Sequence, residues 1–193
     1  MSAFWSEIFG NLGPVEIEIG PGTGHALLAA AARQPGTNFL GIEHSHSLAD
    51  RLHRTVAAQQ LPNVRILCAD AACVVAHLIP RASVGAYHIY FPDPWWKRRH
   101  HRRRLFTVQF ARELARTLIP GGAIHVATDV PAVFTLMRAT LGATGCLTPI
   151  EAARPPRTLQ TTFERKGLAR GATIHEAVFV RLSDRPPTSA GVT

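Results

Sequence analysis

The chain has 193 residues, which fits one domain of ordinary size, and 46% of them are hydrophobic, enough to bury a core. No charged N-terminal segment leads into a long apolar run, and no apolar stretch is long enough to cross a bilayer, so we expect neither export nor a membrane partner. Three cysteines form no CxxC pair, so we expect free thiols and a cytoplasmic location.

The net charge of +8 is concentrated in one segment. Residues 97–104 contain six Lys or Arg and no acid, and without these six cations the rest of the chain carries only +2. A local patch of this kind favours docking of a polyanion such as a nucleic acid over general solubility. A solvated basic loop is the alternative.

Strand-like and helix-like segments alternate from near the N-terminus. The apolar periodicity predicts strands at Val15–Ile19, Asn38–Ile42, Asn63–Leu67, Val84–Phe91 and Ala123–Ala127. It predicts helices at His25–Arg33, Ser47–Gln60 (capped by Ser47), Ala71–Leu78, Leu105–Leu118 (ended by Pro120-Gly121-Gly122) and Pro131–Leu141. Two last strands, Cys146–Ile150 and Thr173–Leu182, lack a crossover helix and predict an antiparallel edge hairpin.

This alternation predicts an α/β fold with a doubly wound, mostly parallel, seven-stranded sheet. We expect a single domain over residues 1–182 and a disordered tail over residues 183–193. In such sheets the ligand binds outside the carboxyl ends of the strands. The residues at those ends are Gly20, Glu43, Asp70, Asp93 and Asp129, so four of five strands end at an acid.

A glycine-rich loop follows the first predicted strand and opens a helix. It reads Gly20-Pro-Gly-Thr-Gly24, a GxGxG pattern, and position 25 is His25 where a dinucleotide fingerprint would place its third glycine. Glu43 closes the second strand, where nucleotide-binding folds place an acid on the ribose hydroxyls. A tight packing turn is the alternative explanation of the glycines.

The acids around this loop bear on the cofactor. A pyrophosphate would be repelled by Glu18, Glu43, Asp70 and Asp93, whereas S-adenosylmethionine carries a sulfonium cation and no phosphate. The charge pattern therefore favours S-adenosylmethionine over NAD.

Asp93 lies between two prolines, Pro92 and Pro94, at the end of the fourth strand. Because each proline disfavours helix for the residue before it, we expect Phe91 and Asp93 to be extended and Asp93 to be rigidly presented. Two indoles follow, and Trp95 or Trp96 is expected either to stack on a base or to cover the core.

Several motifs together resemble those of the bacterial tRNA (guanine-N7-)-methyltransferases. They are Glu16–Gly24 (EIEIGPGTG), Asn38–Glu43 (NFLGIE), Asn63–Arg65 (NVR) with Asp70-Ala71, Phe91–Trp95 (FPDPW) with its basic run, Leu118–Gly122 (LIPGG), Ala127–Asp129 (ATD) and Thr161–Gly167 (TTFERKG). The chain departs from that pattern at Trp96, His101 and Ala172, where the family commonly has histidine, asparagine and histidine.

The resemblance implies a Rossmann-type class I methyltransferase fold that methylates N7 of a guanosine in the tRNA variable loop. It assigns S-adenosylmethionine to Glu18, Gly20, Gly22, Glu43, Asp70 and Asp93, with Asp93 also catalytic. It assigns the substrate to Lys97, Asp129, Thr161, Thr162, Phe163 and Glu164. It assigns RNA contacts to Arg99, His100, His101, Arg102, Arg103 and Arg104.

The residues also bear on the partners of the chain and on alternative functions. We expect a monomer or small homo-oligomer that binds tRNA but not DNA, and no metal site, because His44 and His46 lack a third ligand placed by sequence. The alternatives are an amino-group methyltransferase of adenine or guanine, a noncatalytic RNA-binding module and an NAD oxidoreductase.

Overall fold

A seven-stranded sheet with helices on both faces organises the protein. The computed structural model describes residues 3–93, 105–150, 168 and 171–183. The strands are β1 (Val15–Ile19), β2 (Asn38–Glu43), β3 (Val64–Cys68), β4 (Val84–Tyr90), β5 (Leu118–Thr128), β6 (Leu147–Ile150) and β7 (His175–Arg181). The helices are α1 (Ala3–Phe9), α2 (His25–Arg33), α3 (His46–Ala58), α4 (Ala71–His77), α5 (Val108–Thr117) and α6 (Pro131–Gly142).

The strand order is β3-β2-β1-β4-β5-β7-β6. Strands β1 to β5 are parallel, and β7 runs antiparallel to both β5 and β6. The order reverses direction between β1 and β4, so the loops that follow these two strands flank the crevice where open α/β sheets bind ligands. The predicted mostly parallel sheet with an antiparallel edge hairpin is confirmed.

Successive residues of each strand face opposite sides of the sheet, so the hydrophobic core consists of two clusters, one on each face. Ile17 and Ile19 of β1 pack with Trp5 of α1 and with helices α4, α5 and α6 in the larger cluster. On the opposite face, Phe39 of β2 and Leu27 of α2 pack with α3 in a smaller cluster. The sheet is therefore wound on both faces, as the alternating sequence pattern predicts.

Three differences from the sequence prediction concern a whole element, a cap or a turn, and the other boundaries shift by at most three residues. Helix α1 was not predicted, α3 begins at His46 with Ser45 preceding it, and β5 begins at Leu118. Ser47 therefore lies inside the first turn of α3 and does not cap it. The Pro-Gly-Gly turn lies within the span of β5 because Leu118 pairs with Val84 ahead of a register shift.

Within the described residues, no helix combines the length and the apolar character that a bilayer crossing requires. Ser183 is described, whereas residues 184–193 of the predicted disordered tail lie outside the described residues.

Candidate cofactor and substrate site

The glycine loop forms a cradle above the carboxyl end of β1. Gly20, Gly22 and Gly24 all have left-handed φ angles, of 68°, 58° and 78°. The Gly20 amide donates to the Ile42 carbonyl at 2.9 Å, and the Gly24 amide donates to the Pro21 carbonyl at 2.8 Å. A Cβ atom added at Gly20 or Gly22 would meet nothing within 4 Å, so open space for a ligand lies above these two residues.

Glu43 joins the end of β2 to this loop. One carboxylate oxygen, Oε2, accepts from the Gly22 amide at 2.9 Å, and the other, Oε1, accepts from the Ser45 amide at 2.9 Å. The Gly22 amide is therefore already used by a carboxylate and is not offered to a phosphate. The remaining lone pairs of Glu43 can still accept hydroxyl or amine hydrogens.

Glu18 lies on β1, two residues before Gly20, and is only 5% exposed. Burial raises the pKa of Glu18 to about 7, although the nearby His88 and a backbone hydrogen bond from Leu27 act in the opposite direction. A buried carboxylate that ionises near neutrality, beside an open cradle, is suited to a cationic ligand.

His88 of β4 lies at the centre of a polar network on the same sheet face. Its Nε2 lies 2.8 Å from Oε2 of Glu16, its Nδ1 lies 2.9 Å from the Tyr90 hydroxyl, and its ring stacks on His125 with centroids 5.0 Å apart. Burial alone would raise the pKa of Glu16, but the hydrogen bond and charge of His88, together with His125, lower it below its ordinary value. Sequence reasoning missed this network, although the polar residues alternating along β1 and β4 were a visible signal.

The other predicted acids lie at the same edge of the sheet. Asp70 precedes α4, and its Oδ1 accepts from the Cys73 amide at 2.9 Å, so it also caps that helix. Asp93 follows β4 and Asp129 follows β5, and both are exposed. The structure thus brings Glu43, Asp70, Asp93 and Asp129 to the carboxyl edge, as predicted.

Phe91 corrects one expectation about the Asp93 segment. Its φ is 51°, in the left-handed region, so it is not extended. Its amide donates to the Ala127 carbonyl of β5 at 2.7 Å, and this contact outweighs the local preference that Pro92 imposes. Strain of this kind next to a candidate catalytic residue is typical of functional sites.

Several predicted residues lie outside the described residues. They are Trp95, Trp96, Lys97, Arg99, His100, His101, Arg102, Arg103, Arg104, Thr161, Thr162, Phe163 and Glu164. Their predicted RNA and substrate contacts stay predictions. Among the residues that the structure does describe, no group of three or more His, Cys, Asp or Glu side chains could hold a metal ion.

The strand order, with the glycine loop at the carboxyl end of β1, is that of the class I methyltransferase fold. Solved structures share this fold at low identity. The aminoglycoside resistance methyltransferase NpmB1 matches with a TM-score of 0.65 at 18% identity, covering 92% of each chain. The 16S rRNA methyltransferase KamB matches with 0.65 at 17% identity, covering 94% of this chain and 93% of its own.

Sequence relatives give the particular family. A family described as "Putative methyltransferase" matches residues 13–177. The tRNA (guanine-N(7)-)-methyltransferase of Burkholderia thailandensis is 39% identical over 178 residues, covering 91% of this chain and 67% of the relative. Its namesake in Burkholderia cenocepacia is 39% identical over 183 residues, covering 93% and 72%. The chain belongs to the tRNA (guanine-N(7)-)-methyltransferase family, which confirms the resemblance seen in the sequence.

Proposed function

We infer that this protein transfers the methyl group of S-adenosylmethionine to N7 of a guanosine in tRNA, and we propose that the guanosine lies in the variable loop. The family relationship supports the reaction, and the motif resemblance supports the position. The observation in the structure that carries the proposal is the Gly22–Glu43 hydrogen bond. Because the Gly22 amide already donates to Glu43, it is not available to bind a phosphate. The cradle is lined by carboxylates and therefore suits a cofactor that has no phosphate.

The residues present fit S-adenosylmethionine. Glu18 and Glu43 are buried at 5% and 7% exposure beside the open space above Gly20 and Gly22. We propose that these residues and Asp70 hold the cofactor, with Glu43 accepting ribose hydroxyls and Glu18 facing its positive charge. When bound, the cofactor supplies an electrophilic methyl carbon on a cationic sulfur.

The residues of the chain need to align the reacting atoms and to stabilise the developing positive charge, but no general base is required. Guanine N7 bears a lone pair and no proton, so its attack requires alignment of the reacting atoms and exclusion of water. The guanine gains positive charge as it reacts, and we propose that the carboxylate of Asp93 stabilises that charge. Asp129 or Glu164 accepts hydrogens from the amino and N1 edge of guanine in this proposal.

One experiment tests the reaction and its target together. Purified protein is incubated with labelled S-adenosylmethionine and unmodified tRNA transcripts that contain or lack the variable-loop guanosine. We expect label in 7-methylguanosine only with the intact transcript. Label in a neutral methylated amine would identify an amino-group methyltransferase, and transfer to both transcripts would place the target elsewhere.

Asp93 is tested by Asp93→Asn, which keeps the shape of the side chain and removes its charge. We expect turnover to fall by about 100-fold, by analogy with the loss of one group that stabilises transition-state charge. The affinity for S-adenosylmethionine should change much less, as measured by calorimetry. Unchanged turnover would remove Asp93 from the mechanism.

The basic segment 97–104 is proposed to hold the tRNA phosphates. Six cations that each neutralise one phosphate predict a slope of about −4 to −5 in a plot of log affinity against log salt concentration. Replacing Arg102 and Arg103 by glutamine should reduce that slope by about two. A slope near zero for the unmodified protein would mean that the segment does not bind RNA.

The remaining expectations are that the protein is cytoplasmic, where its tRNA substrate is found, and acts as a monomer or small homo-oligomer. Light scattering of the purified protein with and without tRNA determines the oligomeric state.

A further inference from the structure

An aromatic pair lies beside the strand end that carries Asp129. Phe134 of α6 and His175, the first residue of β7, stack with ring centroids 5.4 Å apart and 28° between their planes. The guanidinium carbon of Arg138, one helical turn further along α6, lies 5.8 Å from the centroid of the Phe134 ring. A cation and two rings thus form one short stack.

Strand pairing places this stack at the substrate side of the sheet. His175 pairs with Thr128, the last residue of β5, and Asp129 is the next residue. The Thr128 hydroxyl accepts from the Val130 amide at 3.2 Å, which fixes the turn that leads from β5 into α6. His175 is therefore directly across the strand pair from the residue that presents Asp129.

The protein core does not account for this stack. On α6 the buried residues of the larger cluster are Val133, Met137 and Leu141, whereas Phe134 is not part of that cluster and is only partly buried. His175 is also partly buried, and Arg138 is exposed. Partly exposed aromatic rings with an adjacent cation are what proteins use to stack the bases of single-stranded nucleic acids and to contact their phosphates.

We propose that His175, backed by Phe134, stacks against a base of the tRNA substrate next to the Asp129 strand end, while Arg138 contacts a neighbouring phosphate. The proposal rests on the proposed function, because it takes RNA as the substrate. It adds two substrate-contacting residues, His175 and Arg138, and one supporting residue, Phe134, that no sequence motif indicated. A base on the outer face of His175 would extend the stack that Arg138 and Phe134 begin.

The test compares His175→Ala with His175→Phe, which keeps an aromatic ring. His53→Ala is the control, because His53 is an exposed histidine on α3, which packs with β2 and β3 far from β7 in the strand order. Steady-state kinetics with saturating S-adenosylmethionine give KM for the tRNA transcript and kcat, and thermal unfolding gives Tm for each variant.

We expect His175→Ala to raise KM for tRNA by about 5- to 150-fold, which corresponds to the loss of one base stack. KM for S-adenosylmethionine and kcat should stay within about twofold, and His175→Phe should restore KM for tRNA. The His53→Ala control should match the unmodified protein, and Arg138→Gln should reduce the salt slope of tRNA binding by about one.

Two results would overturn the proposal. One is an unchanged KM for tRNA in His175→Ala. The other is a KM in His175→Phe as poor as that of His175→Ala, which would assign the effect to the imidazole polar groups and not to stacking. Inactivity of the unmodified protein on tRNA would instead contradict the proposed function, so the two failures are distinguishable.

Discussion

Glu18 makes the stability of the protein depend on pH in a direction opposite to that of most carboxylates. Its pKa rises from 4.5 to about 7 in the folded protein, chiefly because burial disfavours the charged form. Between these pH values the folded protein holds a proton at Glu18 that the unfolded chain has lost. The free energy of unfolding therefore falls as pH rises through this window, and the stabilisation is fully present only below pH 4.5.

The magnitude follows from the two pKa values. Their difference corresponds to about 3 kcal/mol in total, most of which is lost between pH 5 and pH 8. Glu18→Gln removes the titrating group and should remove this loss. The free energy of unfolding of the variant, relative to the unmodified protein, should thus increase by about 2–3 kcal/mol between pH 5 and pH 8.

Urea unfolding followed by circular dichroism at pH 5, 6, 7 and 8 measures this difference. Glu7→Gln is the matched control, because Glu7 is an exposed carboxylate on α1, and it should show no such change. A relative stability of Glu18→Gln that is the same at pH 5 and pH 8 would refute the argument from burial.

The same ionisation should govern cofactor binding. If a cationic cofactor requires the ionised form of Glu18, its affinity should be about tenfold lower at pH 6 than above pH 8. Calorimetry in buffers of different ionisation enthalpy should then detect release of nearly one proton per cofactor bound at pH 6. Affinity that is independent of pH in this range would show that Glu18 does not face the positive charge.

Three substitutions test the packing that positions the site, each by urea unfolding. Gly24→Ala should destabilise the protein by at least about 2 kcal/mol, because the backbone there is left-handed and an added Cβ atom would lie 2.2 Å from Cδ2 of Leu52. Gly20→Ala is the control, because its added Cβ atom would meet open space and should cost only the backbone strain. Equal losses of stability in the two variants would contradict the packing argument. Thr107→Ala should cost about 1 kcal/mol by removing the N-cap of α5, and no loss would mean that the cap is dispensable. Asn63→Ala should cost about 1–3 kcal/mol, since its amide nitrogen donates to three carbonyls at and beyond the end of α2, and a smaller loss would mean that water replaces it.

The sequence patterns predict the order and the type of nearly all helices and strands. Short β-branched strands alternating with helical periodicity are enough to predict a doubly wound sheet, and the missing crossover helix before β7 predicts the antiparallel hairpin. Helix α1 was not predicted, although Trp5 and Phe9 have the i, i+4 spacing of one helical face.

The acids of the site were predictable by position, but their chemistry was not. Glu43 accepts from the main-chain amides of Gly22 and Ser45, and this depends on how β2 and the glycine loop meet in space. The left-handed Phe91 depends on a hydrogen bond to β5, which no local rule about proline includes. The stack of Phe134 on His175 joins residues 41 positions apart and becomes visible only when β7 pairs with β5.

The position of β7 between β5 and β6 has a consequence for synthesis of the chain on the ribosome. Strand β6 leaves the ribosome before β7, but in the described sheet its only partner is β7. Until residues 175–181 emerge, β5 presents an unpaired edge and β6 has no strand to join. A nascent chain halted after β6 therefore exposes a sheet edge on which other chains can pair. Chaperone protection is thus most needed before residues 175–181 have emerged and β7 has paired with β5 and β6.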